Sequence, residues 1–344
     1  MRTLVLLPVG KPAAAVPTSR RTRSSTLPPT PSPSGGNDPR PVDPSGRQDP
    51  LRRSGAPQAP TVPASQSGPG AMLELAGRKS EMAHWTEQSI ADELYQAEAE
   101  RRDRRPFTDD WPSLDVETAY RTQARLIQKK TATGQTVTGV KLGLTSLAKQ
   151  KRMGIASPIT GWITDRMQLA EGTPIPMGDL IHPRIEPEIA FVMGRRLEGP
   201  DVTAETALSA VESVRAAFEV IDSRYQDFRF QLPDVIADNA SSSRFFLGSL
   251  SRHPKDLDLA AEECVLRIDD RIVGSATGSA VQGHPAEALA QAVNALAERG
   301  IALRPGWIVL TGGLTDAATV NAGERITAEF ANLGSLTVVG KSPH

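Results

Sequence analysis

A chain of 344 residues is long enough for one large domain or two smaller ones, and a composition of 39% hydrophobic and 23% charged residues suits a globular protein. The formal net charge of -1 supplies no long-range field to recruit nucleic acid or an anionic membrane, and no basic stripe with interleaved aromatics occurs. Cys264 is the sole cysteine, which excludes an intrachain disulfide and a zinc site built from several thiolates, and no apolar run approaches the ~18 residues of a membrane span; a cytoplasmic location is expected.

Residues 1–72 read as a disordered Pro/Ser/Arg-rich extension: they hold more than half of the 28 prolines, no aromatic residue and no sustained hydrophobic period. The extension superficially resembles a transit peptide, but a dispensable segment or a start assigned too far upstream, with Met72 or Met82 as the effective start, is the preferred reading. A single domain is expected over 83–344. It begins with two amphipathic helices, one carrying Ile90, Leu94 and Ala97 at helical spacing and the next Ala119, Ala124 and Ile127. Short strands follow, in "VTGVKLGL", "GWITDRMQL", "IEPEIAFVMG", "CVLRIDDRIVG", "GWIVLTG" and "RITAEFANLGSLTVVG", with hairpin turns at Asp269-Asp270 and around Asn332 to Gly334. Further helices are expected at "TAETALSAVESVRAA" and at "HPAEALAQAVNALAERG", the latter with Pro285 in its first turn and Gly300 as its stop. Strands and helices do not alternate strictly, so the fold class is α+β with a mostly antiparallel sheet.

In "HPRIEPEIAF", Glu186 and Glu188 share one strand face, with carboxylates within about 7 Å of each other. Unpaired, they repel and one pKa must rise; a divalent cation removes the conflict. Glu219 stands alone in the apolar run "AAFEVI", a costly place for a carboxylate without a partner or a metal. Three carboxylates without cysteine or a His-x-x-x-His spacing favour Mg²⁺ or Mn²⁺ over zinc. Spacing leaves a plain alternative open: Glu186 and Glu188 as an exposed edge pair beside Arg184 and Arg195, with Glu219 paired to Arg224.

Lys141 lies between Gly139 and Gly143 in an apolar strand, where a partly desolvated ammonium acts as acid or base near neutrality; a solvent-reaching lysine is the alternative. Thr145 and Ser146 follow as hydrogen-bond donors to a carboxylate. Ser146 to Lys149 also matches the Ser-x-x-Lys of penicillin-binding proteins, but the companion Ser-Asp-Asn and Lys-Thr-Gly are missing, and "LTGGLT" has neither P-loop nor Rossmann spacing. No organic cofactor is expected. The segment 222–245 offers Arg224, Arg229 and Arg244 for a dianion, with Asn239 and Ser241 as further donors. His182 and His284 each precede a proline, where a turn or helix-start role is expected.

Taken in order, "GVKLGLTS", "IHPRIEPEIAFVMG", "FEVIDSR", "ADNASS", "GHPAEAL" and "GWIVLTGGLT" resemble the hydratase/decarboxylase branch of the fumarylacetoacetate hydrolase superfamily. The resemblance covers roughly residues 83–340. It implies a mixed, mostly antiparallel β-sandwich or rolled sheet with peripheral helices, a divalent metal on Glu186, Glu188 and Glu219, and Lys141 as the proton-transfer residue. It also implies a small 2-oxo dicarboxylate substrate from aromatic meta-cleavage, a homo-oligomer and a complex with the cognate hydratase. Hydratases of the branch generally show a "QPDFG"-like stretch after the lysine; here it is "SPITG", with Ile159 where that aspartate would stand. The resemblance is therefore nearer to the 2-oxo-3-hexenedioate (4-oxalocrotonate) decarboxylases, with 2-oxopent-4-enoate hydratase as the alternative.

Overall fold

The computed structural model describes residues 85–342, all within the compact unit Met72–His344; the extension expected over 1–72 and both candidate starts lie outside the described residues. Helix α1 (Glu87–Glu100) starts at a capping box in which the Thr86 side chain accepts from Ser89 N, and it ends at Arg101 with a left-handed φ of 55°. Helix α2 (Val116–Ala132) is capped by Asp115. The buried Lys130 on α2 meets both carboxylate oxygens of Glu98 on α1 at 2.6 Å, which ties the two helices together. Ala124 was expected on the inner face of α2 but is exposed. Gln123 is buried instead, because its Nε2 donates to the carbonyls of Thr160 and Ile236.

Strand β1 (Val137–Gly143) is followed by α3 (Leu147–Met153), β2 (Ile159–Thr164) and β3 (Gln168–Leu169). The long strands β4 (Arg184–Met193) and β5 (Val211–Ile221) flank the short α4 (Ala204–Ser209). After α5 (Leu232–Ala237) come β6 (Ser242–Leu247), β7 (Glu263–Ile268), β8 (Arg271–Thr277), α6 (Pro285–Ala297) and β9 (Ile308–Gly313). Strands β10 (Ala318–Thr319), β11 (Arg325–Phe330) and β12 (Gly334–Val339) complete the described chain. The larger sheet runs β2-β1-β9-β4-β5-β6-β3, with β10 on β4, and the smaller runs β12-β11-β7-β8. Among the named strands of the described residues, β1/β9 and β3/β6 pair in parallel and the rest antiparallel. Phe191, Phe218 and Val309 of the larger sheet share one buried cluster with Leu266, Ile326 and Leu336 of the smaller, so the two sheets close on a common core.

The helix expected over 203–217 is a correction: α4 ends at Ser209 and the remainder is strand β5. Its alanines favour helix, but β5 is hydrogen-bonded by β4 on one side and β6 on the other, and that pairing outweighs local propensity. Both expected hairpins form, β7–β8 and β11–β12. Pro285 opens α6, and the His284 Nδ1 caps it by accepting from Ala286 N.

Candidate active site

Strand pairing brings the acidic residues together. In the β4–β5 ladder Glu186 stands directly opposite Glu219, and Glu188 follows two residues along the same face. Oxygens of all three carboxylates lie within 4.8 Å of one another. Glu188 and Glu219 are fully buried, while Glu186 is half-buried. Burial, reinforced by Glu219 and Glu186, drives the Glu188 carboxyl well above the usual carboxylate range. Glu188 Oε2 accepts the Gly312 N–H at 2.7 Å, but its Oε1 and the Oε1 of Glu219 have no hydrogen-bond partner. Orphaned anionic oxygens packed this closely are costly without a cation, and an all-oxygen donor set suits a hard divalent one. The residues present therefore fit a divalent metal ion.

Lys141 stands beside the cluster. Its side chain is buried, so the alternative of a solvent-reaching lysine is overturned; Nζ lies 2.9 Å from Glu219 Oε2 and donates to the Ala240 carbonyl at 3.0 Å. Burial alone would lower its pKa, yet Glu219, Glu186 and Glu188 outweigh burial and hold the ammonium above its ordinary value. Ala240 can aim its carbonyl here because Asn239, Ala240 and Ser241 all adopt left-handed φ values of 52° to 57°.

Two glycines of β9 hold the glutamates. A Cβ on Gly312 would lie 2.2 Å from Thr145 Oγ1, and one on Gly313 would lie 2.7 Å from Glu186 Cδ. Only bare backbone can come this close. Lys141, Thr145, Ser146, Glu186 and Ser241 line a cavity of about 120 Å³, together with apolar residues that include Ile159, Phe228, Phe230 and Val235.

Other sequence candidates lie elsewhere. Arg224 is buried and bound to the Asp238 carboxylate, with further hydrogen bonds to the carbonyls of Asp222 and Asp238. It does not line the cavity, nor does it pair with Glu219. Asn239 clamps β2 by accepting from Trp162 N and donating to Trp162 O. Arg229 is exposed on an outer cavity, and Arg244 binds the carbonyl of its neighbour Ser243. Arg195 contacts Ser209, not the glutamates. Sequence reasoning missed the Ala240 carbonyl, Asp238 and the Gly312-Gly313 pair. The doubled glycine in "LTGGLT" was the available signal, and it marks close backbone approach to carboxylates.

This fold and site define a class. The family model described as fumarylacetoacetate (FAA) hydrolase C-terminal matches residues 136–339, and the chain belongs to that family. Among its relatives, 4-oxalocrotonate decarboxylase of Pseudomonas sp. (strain CF600) is 39% identical over 249 residues, 72% of this chain and 94% of that protein. The 2-hydroxyhexa-2,4-dienoate hydratase of Comamonas testosteroni is 37% identical over 247 residues, 71% of this chain and 94% of the relative. The solved structure of 4-oxalocrotonate decarboxylase from Pseudomonas putida G7, complexed with magnesium and adipate, matches with a TM-score of 0.72 at 36% identity, covering 74% of this chain and 97% of that one.

Proposed function

We propose that this chain is a divalent-metal-dependent carbon–carbon lyase that decarboxylates 2-oxo-3-hexenedioate to 2-hydroxypenta-2,4-dienoate during catabolism of aromatic meta-cleavage products. The observation that carries this reading is one cavity lined by Lys141 and by Glu186 of the glutamate cluster together with apolar residues that include Ile159. The 4-oxalocrotonate decarboxylases among its relatives support the choice of substrate.

Glu186, Glu188 and Glu219 would hold Mg²⁺ or Mn²⁺, which supplies Lewis acidity for a 2-oxo carboxylate when bound. The chain's own residues position and protonate. Thr145 and Ser146 offer hydroxyl groups from the cavity wall to a substrate carboxylate, while Ser241 Oγ donates to Asp238 Oδ2 and holds the wall in place. As the C5–C6 bond breaks, carbon dioxide leaves and its electron pair forms the C4–C5 double bond. The C3–C4 pair shifts to C2–C3, and charge arrives on the C2 oxygen. Lys141 Nζ, fixed by Glu219 and Ala240, holds a proton for that oxygen. Arg224 and Asn239 act from behind, bracing the 222–241 segment and β2.

Residues 83–344 serve as one catalytic domain in this reading, which works as a cytoplasmic homo-oligomer beside a hydratase that consumes the dienol. No helix among the described residues is long and apolar enough to cross a membrane. Hydration is the second reading, favoured by the hydratase relative at 37% identity. Supplying 2-oxo-3-hexenedioate and 2-hydroxypenta-2,4-dienoate separately decides between them. Carbon dioxide and dienol from the first support decarboxylation; 4-hydroxy-2-oxovalerate from the second, with no carbon dioxide from the first, supports hydration.

A further inference from the structure

The segment 226–231 separates two cavities. Phe228 and Phe230 line both the 120 Å³ cavity at the glutamates and an outer cavity of about 610 Å³ whose remaining lining is mostly polar, with Arg105, Asp109, Asp227 and Arg229 among it. Phe228 is held in a costly backbone conformation: its φ is 55°, as is that of Asp227 before it. Bulky side chains rarely adopt this region, so the surroundings must enforce it.

Two side chains pack against the Phe228 ring. The Arg184 guanidinium lies 4.0 Å from the Phe228 ring centroid, and the His182 ring packs against the same phenyl ring at 4.9 Å. Arg184 shares the strand face of Glu186 and Glu188, and its guanidinium stacks on Phe228. His182 is itself fixed: its Nε2 bonds the Ser223 carbonyl at 2.8 Å and its backbone N–H donates to Asp222. A ring packed against both a strand arginine and an anchored imidazole is a wall rather than a loose loop side chain.

The inner cavity is small beside the about 300 Å³ at the lower end of small-molecule sites, so a six-carbon dianion fills it. A carboxylate placed against Phe228, Phe230, Ile159 and Val235 loses its water, which favours its departure as neutral carbon dioxide. Water entering from the outer cavity would restore that solvation and, once protonation of the dienol at C5 has formed the conjugated 2-oxo-3-enoate, supply a nucleophile for its C4.

We propose that Phe228, pinned by Arg184 and His182, is the partition that keeps outer-cavity water from the metal cavity and thereby commits the bound dianion to decarboxylation. This rests on the decarboxylase reading above. Arg184 is a positioning residue that acts through Phe228.

The test uses the full chain loaded with Mn²⁺ and saturated with 2-oxoadipate, whose saturated C3–C4 bond blocks the electron flow. Water-proton relaxation then reports water reaching the metal, whether or not the protein is an active decarboxylase. Relaxation enhancement drops on saturation in the wild type and in Phe228→Leu, which keeps apolar bulk, but stays high in Phe228→Ala. With 2-oxo-3-hexenedioate, kcat of Phe228→Ala falls at least about tenfold. Arg184→Met shifts both readouts toward those of Phe228→Ala, and Arg184→Lys restores them. If a folded Phe228→Ala protein shows the wild-type relaxation drop, the partition is refuted. A wild type that releases no carbon dioxide overturns the decarboxylase reading alone.

Discussion

Lys141 Nζ and Glu219 Oε2 stand 2.9 Å apart inside the larger sheet, so the proton-transfer candidate and a metal-binding candidate form one electrostatic unit. The ammonium repels a cation at the glutamates while it orients Glu219. Replacing Lys141 with Ala should therefore lower turnover by about 10²- to 10⁴-fold while Mg²⁺ affinity is kept or rises. Calorimetric metal titration beside steady-state kinetics checks both. Unchanged turnover would remove Lys141 from the chemistry.

The raised Glu188 carboxyl makes metal binding a proton-release event. Its folded pKa lies well above the reference of 4.5, so the metal-free protein binds more protons than the unfolded chain between those values. Its contribution to metal-free stability is present below that reference and is lost as pH rises through the folded pKa. Metal loading should flatten this slope, and metal affinity should weaken as pH falls. Thermal unfolding against pH, with and without Mg²⁺, measures the effect.

Gly313 leaves no room for a side chain, since a Cβ would sit 2.7 Å from Glu186 Cδ. Gly313→Ala should displace that carboxylate and weaken metal binding about 10- to 100-fold with the sheet intact. Circular dichroism and metal titration together distinguish this from loss of fold.

Ile159 closes the cavity opposite Gly143, the residue it pairs with across β1–β2. Ile159→Asp places an acid where the hydratases resembled here carry one. Decarboxylation should slow and 4-hydroxy-2-oxovalerate should appear from the dienol, at some cost in thermal stability from the buried carboxylate. Product analysis by NMR reads the outcome.

The glutamate cluster was legible because the relevant signals are local. Period-two spacing places Glu186 and Glu188 on one face, and a lone acid in an apolar run marks Glu219. Spacing could not choose between metal and salt bridge, because the choice depends on the β4–β5 register that sets Glu186 against Glu219. Arg224 was misread for the same reason: its neutralising partner Asp238 is 14 residues away, and only the fold shows the guanidinium fully engaged. The Ala240 carbonyl has no side-chain signature, since it follows from three left-handed residues in succession. Strand β5 was hidden by helix-favouring alanines, whose pairing partners lie in β4 and β6. Phe228 looked like one aromatic among several in a polar segment until Arg184 and His182 were found against it.

The most direct test of the account is release of carbon dioxide from 2-oxo-3-hexenedioate by protein stripped with EDTA, assayed before and after Mg²⁺ is restored, with Glu188→Gln in parallel. The stripped wild type should be inactive and recover on Mg²⁺ addition, with dienol formed in equal amount, while folded Glu188→Gln fails to recover. Full activity of the stripped protein, or full recovery by Glu188→Gln, would contradict a metal-dependent reaction at Glu186, Glu188 and Glu219.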